Sequence, residues 1–191
     1  MTAARNILAL AFTAALLVPA AGMAADSDQK TVGVSGNVAK LCVLGEPTPA
    51  SVDLGQMAAT SGTRVGRITA IADQAVTLPG SFCNYAGTQL TVQASALLAD
   101  DASPVQPGFS RAVNFTSTVS NWTAAPAAVT TAASESGATP SASAAGQTQA
   151  APKLANLDLV LSGFAAPSDA LLVAGGYTGS VTVTLGPSAT P

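Results

Sequence analysis

Tyr177-Thr-Gly-Ser-Val-Thr-Val-Thr-Leu185 is the stretch that decides the fold class. Tyr177, Gly179, Val181, Val183 and Leu185 take every second place, with Thr178, Ser180, Thr182 and Thr184 between them. Side chains of a strand point alternately to its two faces, so this segment has one apolar face and one hydroxyl-bearing face. Its period is two, not 3.6. Tyr177, Val181, Val183 and Leu185 are therefore expected to be core residues of a closing strand.

The same period recurs upstream. Leu90, Val92, Ala94, Ala96 and Leu98 alternate with Thr91, Gln93, Ser95 and Leu97. Val113, Phe115 and Val119 alternate with Asn114, Thr116 and Thr118, and Leu157, Leu159 and Leu161 face away from Asp158, Val160 and Ser162. Nearer the N-terminus, Val32, Val34 and Val38 alternate around Ser35 and Asn37, and Leu41-Cys42-Val43 reads as a buried strand running on from them. Pro47 and Pro49 interrupt it, and Val52-Asp-Leu-Gly55 reads as a short strand ending in a turn. Ile68, Ile71, Val76 and Leu78 supply a further strand, or a bent pair, before Cys83. About seven or eight strands result, the arithmetic of an all-β sandwich with inner faces buried and outer faces wet. One segment stands apart: residues 124–152 are almost wholly Ala, Thr, Ser, Gly, Gln and Pro, with Glu135 the one charge and Val129 the one large apolar residue. The reading is a low-complexity loop that buries too little surface to offset its ordering entropy.

Composition narrows function. The chain has 191 residues, 7 basic and 10 acidic side chains, and no histidine. The absence of histidine removes Ser-His-Asp and Cys-His hydrolase arrangements and ordinary catalytic zinc sites. The acidic balance offers no basic patch for phosphates, so no nucleic-acid partner is expected. The reading is non-enzymatic: no catalytic residues, no metal ligands and no cofactor. Asp100-Asp101 reads as a solvated turn, since a Ca2+ site needs six or more oxygens in a shaped loop. Asn114 and Asn121 fit the glycosylation sequon, but strand alternation already accounts for them. Trp122 with Tyr85 suggests an aromatic sugar platform, against a role for Trp122 in the core or at a corner.

Residues 1–24 read as a cleaved secretory signal. Arg5 gives a positive start, Ile7 to Val18 is apolar except for Thr13, and small residues follow Pro19. That run is shorter than the roughly 20 residues a bilayer requires, so no membrane span is expected. The single domain is then residues 25–191, exported to the periplasm, cell surface or medium. In an oxidising compartment two cysteines most simply form one disulfide, Cys42–Cys83, worth about 4 kcal/mol by chain entropy for a loop of that length.

Val34-Ser-Gly-Asn-Val38, Cys42-Val43, Val52-Asp-Leu-Gly-Gln56 and Cys83 stand in an order that resembles the chaperone–usher fimbrial subunits, or pilins. Gly176-Tyr-Thr-Gly-Ser-Val-Thr-Val-Thr184 is similar to the closing strand of pilin-like and spore-coat-protein-U-like secreted proteins. The resemblance implies an incomplete immunoglobulin-like sandwich that lacks its last strand. It further implies a groove filled by the N-terminal extension of a neighbouring subunit, with Val32 and Val34 as the candidate donor residues. The implied partners are other copies or related subunits, with a periplasmic chaperone and usher. Two functional expectations follow: a fimbria-like structural or adhesive subunit assembled by strand exchange, or a soluble monomeric binding module for carbohydrate or a surface, on a complete sandwich.

Overall fold

The computed structural model describes residues 28–188, so the signal expected over residues 1–24 lies outside the described part. The chain divides into two units, one ending at Asn37 and one from Val38 onward. Of the first, residues 28–37 form no strand and every side chain is exposed; Lys30 pairs with Asp28 at 2.8 Å.

Among its described residues the second unit holds ten strands and one short 3-10 turn. In chain order they are β1 (Cys42–Val43), β2 (Gln74–Cys83), β3 (Thr88–Ala99), β4 (Phe109–Ser110), β5 (Ala112–Ser120) and β6 (Ala127–Thr130). Then come β7 (Ala142–Gln149), β8 (Lys153–Ala165), the 3-10 turn Pro167–Asp169, β9 (Leu171–Leu172) and β10 (Tyr177–Pro187). The ladders run β1-β2-β8-β5 and β10-β3, with β6 added to β5 and β7 to β3. These are the neighbour pairs A-B-E-D and C-F of an immunoglobulin-type sandwich, in the same chain order. The first residues of β5 pair with β3, at Leu97↔Val113 and Leu98↔Ala112, and the rest with β8, so β5 carries the chain from one sheet to the other.

The alternation read from sequence fills the space between the sheets. Leu90, Val92, Phe115, Val119, Leu157 and Leu159 are buried in one cluster with Val76 and Leu78. Val181, Val183 and Leu185 of β10 pack on this cluster half-buried, while Thr178, Thr182 and Thr184 face water. Tyr177, at the start of β10, donates its hydroxyl to the carbonyl of Val173 four residues upstream, at 2.8 Å. A tyrosine anchoring the corner between the fifth and sixth strands is a recurring feature of such sandwiches. Burial raises the Tyr177 pKa above its ordinary value. Cys42 and Cys83 are register partners on β1 and β2 and are joined by a disulfide, their Cα atoms 4.1 Å apart.

Three expectations need correction. No strand forms at Val32, Val34 and Val38, which are 83%, 94% and 84% exposed, and β1 itself spans only Cys42–Val43. Alternating β-branched residues favour a strand, but a strand also requires a ladder partner, and these residues have none among the described residues. Leu41 and Val43 are exposed as well, so of that run only Cys42 faces inward. The Val52–Gly55 segment alternates as expected and ends in a turn closed by the Gly55 amide on Asp53 Oδ1, yet it joins no ladder. Third, residues 124–152 are not one loop: they contain β6 and β7, and Ala127, Val129, Thr131 and Ala133 are buried at every second place. Small side chains let this backbone lie close against the core, so little apolar volume still gives a sheet.

Candidate functional site

The sandwich closes along one side and opens along the other. On the open side, the first wall is the chain after β1. Gly45 and Thr48 hold it to β2: the Gly45 amide donates to Ser81 Oγ, and Thr48 exchanges two backbone hydrogen bonds with Thr77 at 2.8 and 2.9 Å. Beyond Thr48 the chain leaves the ladder, and Val52 and Leu54 turn half-buried toward the interior. The opposite wall is β10, whose one ladder partner among the described residues is β3. In the complete immunoglobulin arrangement a seventh strand lies at this edge.

Between the walls is a cavity of about 380 Å3. Pro47, Val52 and Leu54 line it on one side, and Gly179, Ser180 and Val181 on the other. Its floor is the core itself: Val76, Leu97, Phe115, Leu159, Leu161 and Phe164. The Phe115 and Phe164 rings are stacked there with centroids 5.7 Å apart. No ionisable side chain lines this stretch. Sharing Val52, Leu54 and Leu97, a second cavity of about 560 Å3 continues the groove between Gly55–Ala58 and Leu172–Tyr177. That end is more polar, with Asp53 and the Gly175-Gly176 backbone on its walls. The 380 Å3 stretch, lined without ionisable side chains and floored by aliphatic and aromatic ones, suits an extended apolar segment.

Strand polarity limits what fits. Each step along β1-β2-β8-β5-β3-β10 is antiparallel, so β1 and β10 run in opposite directions. A strand laid in the groove therefore runs parallel to one wall and antiparallel to the other. Hydrogen bonds are available from the free side of β10, and alternate side chains would reach the floor.

Only part of the candidate set reaches the groove. Val181 lines the groove and Tyr177 its polar extension, while Val183 and Leu185 pack farther along β10. The Cys42–Cys83 disulfide fastens the first wall to β2. Trp122 is 2% exposed and sits in the core with the Lys153 ammonium 5.8 Å from its ring, so it forms no open platform with Tyr85. Asn114 is spent on structure: its amide oxygen accepts the Ala133 amide at 2.7 Å. The Ser103 hydroxyl, and after it the Ser103 amide that Asp101 accepts at 2.8 Å, lower the Asp101 pKa and make Asp100-Asp101 a capped turn. Of the floor residues, sequence reading passed over Phe164 and set Leu97 on the outer face. Leu97 occupies an outward place in the β3 alternation, and a large apolar residue there was the available sign. No group of metal-binding side chains occurs among the described residues, and no helix there is long and apolar enough to cross a membrane.

Compared with known protein families, with curated proteins and with solved structures, the chain matches none.

Proposed function

We propose that this protein is an exported, non-enzymatic structural or adhesive subunit that assembles at the cell surface by strand exchange, as the fimbrial subunits it resembles do. One observation carries the reading: an apolar groove at the unpaired edge of β10, floored by core side chains, in a chain that also exposes an unpaired alternating segment. Val32, Val34, Gly36 and Val38 take every second place of that segment, about 6.7 Å apart along an extended strand. Seating it in a neighbour's groove would bury valines that now stand in water, each worth roughly 1.5–3 kcal/mol on full burial. It would also give the outer edge of β10 its missing ladder.

The test uses two complementary variants. Val32→Asp/Val34→Asp spoils the extension by carrying unpaired charge into an apolar trough, and Leu54→Asp spoils the groove. Wild-type protein should give a ladder of oligomers on a denaturing gel run without boiling, and each variant alone should give monomer. Mixed during refolding, the two variants should form a heterodimer, since one retains its groove and the other its extension. Wild-type protein that stays monomeric in surface extracts of its host overturns assembly and favours the soluble binding module.

A further inference from the structure

A different edge of the sandwich carries an inference that does not depend on the groove. β7 pairs with β3 along one side, from Ala142↔Ala94 to Thr88↔Gln149, and no ladder joins its other side among the described residues. Native sheet edges normally carry something that stops further pairing: shortness, proline, charge or a covering segment. Two of the other three edges do, and the third, β10, is the open edge of the groove. β1 is two residues long and is followed by Pro47 and Pro49, and β6 is four residues long with Pro126 just before it. β7 is eight residues long, Ala-Ser-Ala-Ala-Gly-Gln-Thr-Gln, with no proline or charge within it, and the prolines that flank it, Pro140 and Pro152, leave the whole run free to pair.

We infer that β7 is an association edge and that its partner is β7 of a second copy, paired antiparallel about a two-fold axis. Such pairing sets the strand against itself, so each side chain meets one from the same set of eight. All are neutral, so no like charges are opposed. Ser143, Gln147, Thr148 and Gln149 each carry groups that both donate and accept, which makes them self-complementary in a way that lysine or glutamate is not. Gln is the largest side chain on the strand, so nothing bulky holds a second backbone away. A charged partner would find no counter-charge here, and an apolar one no large side chain to bury. Pairing joins two β10-β3-β7 sheets into one of six strands. Eight residues of edge make a small interface, so the dimer is weak and concentration-dependent.

The experiment is sedimentation velocity over a concentration series, with Val32→Asp/Val34→Asp as the background so that strand exchange does not contribute. Ser143 and Ala145 are exposed on β7. Ser143→Lys/Ala145→Lys places like charges near one another across the two-fold axis and should weaken dimerisation at least tenfold, with the urea midpoint of the monomer unchanged. Ser143→Thr/Ala145→Thr keeps a neutral, strand-favouring edge and should dimerise as the background protein does. A background protein that remains monomeric at every concentration, or a lysine variant that dimerises equally well, overturns the inference.

Discussion

The Tyr177 hydroxyl lies 2.8 Å from the Val173 carbonyl oxygen and 3.3 Å from that of Ser110, tying the start of β10 to the chain that crosses between the sheets. The phenol donates its one proton and spans the corner from the inside. Tyr177→Phe keeps the ring and removes only this tie. The variant should lose about 1 kcal/mol, the net worth of one such bond, with no change in urea m-value. An unchanged midpoint would mean that the corner is held by packing alone.

Gly45 sets the path of the first wall of the groove. A Cβ at this position would clash with the Pro79 carbonyl oxygen, a backbone atom that cannot swing aside. Gly45→Ala therefore has to lift the segment after β1 away from β2, loosening Val52 and Leu54 with it. The expected cost is about 3 kcal/mol, at the upper end for overpacking. Urea denaturation measures it, and hydrogen exchange should show the Thr48 and Thr77 amides losing protection first. A variant as stable as wild type would show that this close approach does not hold the wall.

Asp169 holds the segment around residues 64–68 against the β8–β10 corner. Its carboxylate accepts Arg64 at 2.6 Å and Arg67 at 3.2 Å, and the hydrogen bond from Arg64 lowers its pKa below the ordinary carboxylate value. A carboxylate depressed in the folded state contributes stability above its unfolded pKa and loses it as pH falls through the folded value. The tie is therefore intact at neutral pH and opens only on the acid side of the usual carboxylate range. Leu172, whose amide donates to Gly66 O, reports on it. Its exchange protection should drop in strong acid in the wild type and already at pH 7 in Asp169→Asn. Protection unaffected by the substitution would show that the exposed ion pairs add nothing, as is common for surface pairs.

The strands legible in the sequence are those that combine period two with large side chains. Leu90 to Leu98, Val113 to Val119, Leu157 to Leu161 and Tyr177 to Leu185 could be read directly because Leu, Val and Phe mark the buried face. The disulfide followed from having two cysteines in a chain read as exported. The groove was not legible from local pattern, since Val52, Leu97, Phe164 and Val181 come from four separate stretches and only the fold brings them to one trough. At Val32 to Val38 the pattern was sound, but the missing ladder partner decided the outcome. Period alone cannot say whether an alternating segment finds a neighbour in its own sheet.

Residues 124–152 failed for the opposite reason, and they allow the most direct test of small-residue packing. Ala127, Val129, Thr131 and Ala133 alternate, but three of the four are too small or too polar to register as a core face. In the fold their burial is as complete as that of the leucines, with Ala127 on the main cluster near Leu90. Val129→Ala should cost about 2 kcal/mol, from two lost methyl groups and the space left behind. Replacing the whole stretch with a short Gly-Ser bridge separates the two readings cleanly. Loop length by itself changes stability slowly, by about 0.6 kcal/mol per doubling, so a true loop would tolerate the exchange. Losing β6 and β7 instead uncovers β3 and β5 along the closed side of the sandwich. The bridged protein should therefore bind a hydrophobic dye and fail to accumulate as soluble material. If it unfolds cooperatively within 1 kcal/mol of wild type, β6 and β7 rest on the core without supporting it.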